Sequence, residues 1–491
     1  MKVAKFFMFI LILIFTQSPK ISSNLQADEN AIKDKDITEA VYRQLLLDEA
    51  VPSYLIDIET KEGVVTLSGS VNNILAKERA LTVAGSVRGV RSKIDRLEVK
   101  PKKRSDEQIR KDVIKALKTD PATELMEVNA KVNKGVVTLI GRVESYAERN
   151  LCAEVAKGVK GVTDLKNEVE VNYKHERPDE DIKNDIKRRL DFDVWIDSPV
   201  SVDVKNGEVT LEGSVVSEFA KQRVKSKSWV AGVKSVDAES LEIKWWMRNE
   251  MERKKRYSNL SDEDIKSAVQ DAFKYDPRIL PFTIEANVDN GVLIITGDVS
   301  NLKAKYAAEE NAKNTIGVWR VINRIRVRPK AYIRELSVSM EKDREATIAI
   351  ENALSRDPYI DSYDITVYVH NSKARLYGTV DSQFEKYHTE DIVSRVKGVA
   401  EIENYIKYHK KWKQKDDLEI KQDIRDELFW SPFVDSDEIK IDVEDGTATL
   451  KGTVGTWFEF NKAQENAFEG GARWVKNNLK VEFGPIYYLP L

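Results

Sequence analysis

Basic segments rich in aromatics carry the clearest chemical signal in this sequence. Lys244 to Arg256 (KWWMRNEMERKKR) holds six positive and two negative charges. Trp245 and Trp246 stand beside the cations Arg248, Lys254, Lys255 and Arg256. Lys407 to Lys415 (KYHKKWKQK) holds five positive charges, among them Lys410 and Lys411, next to Trp412. Lys100 to Arg104 (KPKKR) and Arg326 to Arg334 (RVRPKAYIR) are also basic. A cation beside an indole suits an anionic membrane surface, where the charge meets the headgroup and the ring sits at the interface. Each Lys or Arg at such a surface contributes about 1 kcal/mol. A cluster of four or five predicts useful binding that salt weakens. The alternative is a solvated linker whose Trp packs on the adjoining domain.

Residues able to do covalent or metal chemistry are sparse. The 491 residues include four His and one Cys. Cys152 has no partner for an intramolecular disulfide and no companions for a Cys-rich metal site. It lies on a predicted helix and reads as a small core residue. His175 and His409 fall between repeats, His370 ends a strand, and His388 lies on a helix. No HExxH, GxSxG or GxxxxGK[ST] string occurs. No polar residue of catalytic type recurs at an equivalent position in all the repeats described below. The expectation is a protein with no catalytic residues, no cofactor and no metal.

Lys+Arg is 79 against Asp+Glu 82, a formal net charge of -3. That balance gives no chain-wide nucleic-acid footprint. Since the connectors are basic, the units between them must carry the compensating acid. The N-terminus opens with Lys2 and Lys5, then a ten-residue apolar run, Phe6 to Phe15. A bilayer span needs about 20 residues, so this run fits a signal-peptide h-region. Residues 1–27 are read as a signal peptide, with Ala27 before Asp28 as the cleavage point; an uncleaved anchor is the alternative. The mature chain is expected to be exported and periplasmic, with membrane association open to it, which argues against a nucleic-acid partner.

The elements that must position these residues are six copies of one unit. One phrase recurs as GVVTLSGSV at Gly63, GVVTLIGRV at Gly135, GEVTLEGSV at Gly207 and GVLIITGDV at Gly291. Degenerate copies follow as SKARLYGTV at Ser372 and GTATLKGTV at Gly446. The second glycines are Gly69, Gly141, Gly213, Gly297, Gly378 and Gly452, spaced 72, 72, 84, 81 and 74 apart. A second phrase closes each copy, as in GVRSKIDRLEV from Gly89, GVTDLKNEVEV from Gly161 and GVWRVINRIRV from Gly317. At about 66 residues a copy is near the lower limit for independent folding and too long for a solenoid repeat. The expected organisation is beads on a string, with marginal beads leaning on neighbours. The copies span 36–101, 105–173, 178–244, 261–329, 342–408 and 415–483.

Within a copy, an amphipathic helix comes first. Ser105 and Gln108 form a predicted capping box, and Ile109, Val113 and Leu117 make one apolar stripe. The matching stripes are Ile182, Ile186 and Leu190, then Ile265, Val269 and Phe273. Two strands follow across a tight turn such as Asn206-Gly207 or Asn290-Gly291. A second helix is expected to end near Gly89, Gly161 or Gly232 at a C′ position, and a last strand closes the unit. The fold class is therefore α+β: six tandem α-β-β-α-β domains, each with two helices on one face of a three-stranded mixed sheet. The strand-end glycines Gly69, Gly141, Gly213, Gly297, Gly378 and Gly452 are read as structural, allowing a bulge or a close helix–sheet approach. A ligand passing over that backbone is the alternative. Tyr146, Phe219, Phe384, Trp457, Phe458 and Phe460 mark the first turn of the second helix. That turn, above all Trp457 and Phe458, is a second membrane-contact candidate; a staple onto the domain's own core is its alternative.

The paired phrases GxVTLxGxV and GVxxVxNxLxV on this frame resemble the BON domain (bacterial OsmY and nodulation). The first four copies match well. The fifth has Asn371-Ser372 in place of the first Gly and Arg375 where Thr usually sits, and the sixth has Ala472 in place of Val. The resemblance implies exported envelope proteins without enzymatic activity that bind phospholipid or act in osmotic and envelope stress. The expected partner is an anionic phospholipid or envelope surface. The alternative is a periplasmic interaction scaffold or holdase-like chaperone with protein clients. The sequence leaves the oligomeric state open.

Overall fold

The computed structural model describes residues 32–196, 198–246, 260–279, 282–328, 336–408 and 415–482, with side chains from 340 in the fifth stretch. The expected signal peptide lies outside them. Domain 2 shows the unit. Helix Asp106–Thr119 leads to strands Glu127–Asn133 and Val136–Val143, then helix Tyr146–Lys157 and strand Asp164–Val171. The middle strand of the sheet is Val136–Val143, antiparallel to the first and parallel to the last. A parallel neighbour needs a crossover, and the second helix supplies it.

Sequence explains each element. Ser105 accepts from the Gln108 backbone and Gln108 reaches back, so the capping box is formed. Ile109, Val113 and Leu117 are buried and meet Val137 and Leu139 of the central strand. Alternate residues of that strand are half-exposed, so both helices cover one face and the other is left open. The same order repeats six times, giving six α+β domains with mixed sheets. In domain 3 the last strand splits into Ser235–Asp237 and Leu241–Ile243. Ser235 pairs with Glu208 but Leu241 with Gly213, so one extra residue bulges out between them.

One polar residue does recur in every copy, contrary to the expectation from sequence. It is the Asp at the start of the first helix: Asp34, Asp106, Asp179, Asp262, Asp343 and Asp417. Its carboxylate accepts the two backbone N–H groups of the hairpin turn. Asp106 takes those of Lys134 and Gly135 at 2.8 and 2.9 Å. Asp34, Asp179, Asp262 and Asp417 do the same. In the degenerate fifth copy Asp343 still takes both, from Asn371 and Ser372. Both central residues of these turns have positive φ, so the N–H groups point out of the hairpin and need an acceptor. The role is structural: the Asp ties the hairpin to the helix.

The two glycine families do different work from that expected. A Cβ on Gly141 would come within 2.1 Å of the Glu127 carbonyl oxygen, at a φ of 146°. The close approach is thus to the backbone at the head of the first strand, not to a helix. The helix contact belongs to the closing glycines, where a Cβ on Gly161 would meet Ile109 Cδ1 at 2.9 Å. Nor are Gly89, Gly161 and Gly232 the C′ residues of the second helix, which ends earlier, with Ser86, Gly158 and Ser228 as C-caps; only in the sixth copy, with Gly470 as C-cap, does the closing Gly471 take that position.

The domains are not beads on a string. Domains 1 and 6, 2 and 5, and 3 and 4 pair through the same backbone hydrogen bond. The residue before the closing glycine donates to the carbonyl at the end of the partner's first helix. Arg88 donates to Trp430 at 3.0 Å, Lys160 to Arg356 at 2.7 Å, and Ile316 to Phe192 at 2.8 Å. Domains 1, 2 and 3 also close on one another, through Lys157–Glu78 (2.6 Å), Tyr146 on Trp229, and Lys93–Glu218 (2.7 Å). Lys303–Asp391 (2.6 Å) joins domains 4 and 5, and Trp319 beside Trp457 joins 4 and 6. Units this small gain by covering one another's apolar edges.

Candidate functional site

The connector residues divide between described and undescribed stretches. Arg248, Lys254, Lys255, Arg256, Lys410, Lys411 and Trp412 lie outside the described residues. Trp245 and Trp246 are half-buried and T-shaped, with ring centroids 5.7 Å apart. The Arg88 guanidinium of domain 1 stands 5.7 Å from the Trp245 ring and 5.2 Å from that of Phe429 in domain 6. Trp245 therefore meets domain 1 at the end of domain 3, and Arg88 stands between it and domain 6.

The first turn of the second helix is built by its N-cap. Asn73, Ser145, Ser217, Asn301, Ser382 and Thr456 each accept a backbone N–H three residues on. In domains 1, 2, 3, 4 and 6 this brings a side chain of the first turn against another domain. Ile74 joins the core of domain 2, and Leu302 that of domain 5. Tyr146 stacks on Trp229 of domain 3 at 3.9 Å and 7°. Phe219 meets Trp195, Phe433 and, through them, Phe458, so domains 3 and 6 share one aromatic cluster. Trp457 lies 5.7 Å from Trp319 of domain 4. Phe384 packs on Tyr359 of its own domain, while its N–H donates to Glu49 of domain 1 at 2.8 Å. Phe460 staples onto its own core. The turn is a seam between domains.

The potentially reactive groups are held in quiet surroundings. Burial pushes the Cys152 thiol up to about 12, so it is not a thiolate nucleophile. His388 Nε2 lies 2.8 Å from Asp357 Oδ2, a pairing invisible in sequence because 31 residues separate the two. Among the described residues its ring bonds to nothing else, so no nucleophile completes a relay. Burial works against the charge of Asp193, but Arg223 (2.6 and 2.8 Å) and Lys227 (3.1 Å) outweigh it and hold its pKa below the usual carboxylate range. Among the described residues no cluster of three His, Cys, Asp or Glu could hold a metal ion. None of their helices is long and apolar enough to cross a membrane.

Exposed apolar groups were not singled out by the sequence. Tyr54, Leu125 and Tyr363 are 83%, 91% and 97% exposed. All three sit in the segment between first helix and first strand, in domains 1, 2 and 5. Tyr368, Tyr377 and Tyr405 stand on the open sheet face of domain 5, with Tyr377 and Tyr405 stacked at 5.2 Å. Strand alternation put Tyr368 and Tyr377 on that face. Nothing local marks a loop tyrosine as outward.

Comparison with known proteins agrees with this geometry. The outer membrane lipoprotein DolP of Haemophilus influenzae is 28% identical over 152 residues, 31% of this chain and 76% of its own length. The osmotically-inducible protein Y of Escherichia coli is 36% identical over 118 residues, 22% of this chain and 59% of its own. The match thus spans little more than half of the second relative. The BON domain family matches at 33–101, 105–173, 178–244, 261–329, 342–410 and 416–482. Each match holds one helix-hairpin-helix-strand unit with its own core, and the chain belongs to the BON domain family, with six domains in tandem.

Proposed function

We propose that this is a non-catalytic protein of the bacterial envelope that binds anionic phospholipid surfaces under osmotic or envelope stress. The relatives named for the outer membrane and for osmotic induction support the compartment. The observation that carries the membrane reading is the outward placement of Tyr54, Leu125 and Tyr363. Large apolar side chains standing alone on loops suit insertion at a headgroup boundary. The basic connectors supply the electrostatic partner, at about 1 kcal/mol per Lys or Arg. Several weak contacts on one chain act together by raising the effective concentration. The test is flotation of the chain from Asp28 with anionic and neutral liposomes at low and high salt. Flotation with anionic vesicles only, reversed by salt and weakened in Y54S/L125S/Y363S, is expected. No flotation at low salt would overturn the reading.

A second reading is an interaction scaffold or holdase. The open face carrying Tyr368, Tyr377 and Tyr405 favours it, since tyrosines are enriched where proteins meet. It predicts suppression of client aggregation that lipid does not change and that Y377S/Y405S removes.

A further inference from the structure

A cavity of about 560 Å³ lies where domains 2 and 5 meet, within the size range of small-ligand sites. Its walls come mainly from the C-terminal halves of the first and second helices of both domains, with Leu75 of domain 1 at the edge. Val155, Val159, Ile348, Ala349, Ala353 and Ile392 give it an apolar lining. Into this lining comes Arg356, at the end of the helix Leu336–Arg356 and only 9% exposed. Its backbone carbonyl takes the Lys160 N–H that pairs the two domains. Its guanidinium makes no hydrogen bond or ion pair with any described residue. Burial pulls its pKa down, opposed only by Asp112, which Arg104 already holds at 2.6 Å.

Apart from the exposed Glu345, the carboxylates lining the cavity are taken. Asp391 is bound by Arg395 and Lys303, Asp357 faces His388, and Glu154 faces Lys157. The Asp120 carboxylate accepts the Ala122 N–H of its own turn. A buried cation without a counter-charge is costly, and that cost falls when an anion arrives. An apolar lining beside a largely buried Arg356, which has no ion-pair partner among the described residues, matches a molecule with one anionic end and one hydrocarbon tail.

We propose that the cavity between domains 2 and 5 binds a single-chain anionic amphiphile of the fatty-acid type, its carboxylate on Arg356 and its tail among Val155, Val159, Ile348 and Ile392. The site is separate from the loops proposed to meet a membrane. It takes one molecule out of a lipid phase instead of docking on one. Arg fits a carboxylate through two parallel N–H groups, a geometry Lys does not reproduce.

The test is calorimetric titration of the chain from Asp28 with sodium decanoate below its micelle concentration, alongside butyrate and 1-decanol. One decanoate per chain is expected, with butyrate too short to bind measurably. Arg356→Gln should weaken decanoate at least tenfold and leave decanol unchanged, while R356K should lose less. Ala353→Trp, which fills the cavity, should abolish both. Should that variant fail to fold, the R356Q and R356K pair decides alone. Decanoate that does not bind, that binds in many equivalents, or that binds R356Q as well as the parent overturns the proposal. Liposome flotation of R356Q should match the parent, so this site and the surface reading fail separately.

Discussion

The ring of Tyr146 lies 3.9 Å from that of Trp229 and within 7° of parallel, and the two rings belong to different domains. Tyr146 opens the second helix of domain 2, directly after its Ser145 cap. Trp229 follows the second helix of domain 3. The stack shows what the first turn of that helix does throughout the chain: it fastens one domain to another.

Removing one ring should therefore loosen a joint without unfolding a core. An aromatic pair contributes about 0.5–1.5 kcal/mol beyond the area it buries. Y146A and W229A should each lower stability, and the double variant should lose less than the sum by about 1 kcal/mol. Denaturant unfolding in a double-mutant cycle reads this coupling. Small-angle scattering of the parent should give a radius of gyration near that of a compact chain of this length, about 23 Å. An elongated particle would contradict the paired packing of domains 1 with 6, 2 with 5 and 3 with 4.

The joint between domains 1 and 6 should respond to pH. Burial raises the Glu427 carboxyl to about 7, with Glu469 and Asp423 adding to the effect and Gln44 and Arg43 opposing it. The Gln44 amide of domain 1 donates to Glu427 Oε2. A raised acid holds its proton in the folded state after the unfolded chain has lost it. Stability is therefore full below about pH 4.5 and declines as pH rises through 7. Glu427→Gln removes the penalty and keeps an acceptor. The variant should be more stable than the parent at pH 8, by on the order of 2 kcal/mol, with the difference fading by pH 5. Thermal melts at the two pH values measure it. An equal effect at both would show that the carboxyl does not titrate there.

The Asp–hairpin tie and the strand-end glycine should separate in magnitude. Asp106→Ala strips the acceptor from two N–H groups near solvent, which water partly replaces. A loss of about 1–2 kcal/mol is expected, and D106N should recover part of it. Gly141→Ala drives a Cβ against the Glu127 carbonyl at a φ that side chains rarely adopt. A loss of about 2–4 kcal/mol is expected there. Urea unfolding of an isolated-site series in domain 2 ranks the two. The opposite order would mean the hairpin backbone relaxes around the added methyl.

The repeating unit is written locally, and sequence alone determined it. Alternation at Val137 and Leu139, the stripe Ile109, Val113 and Leu117, and turns such as Asn206-Gly207 each act within a few residues. Their period and turn chemistry read off the chain directly. Even the Asp–turn tie was legible, since Asp106 precedes Gly135 by the same 29 residues that separate Asp34 from Gly63. It escapes notice because an Asp at a helix start has an ordinary reading as a favourable first-turn charge.

Only the tertiary structure decided what covers each unit's leftover apolar surface. Tyr146, Phe219, Trp457 and Phe458 look the same in sequence whether a bilayer, a client or another domain receives them. Their local pattern records that they are apolar and not what they touch. Arg356 is the sharpest case. At the end of a helix it reads as a cation complementing the dipole. Domain 2, arriving from about 200 residues away, is what buries it. Burial of a residue by a distant part of the chain leaves no periodicity, and so the fold was legible while the partners of its surface were not.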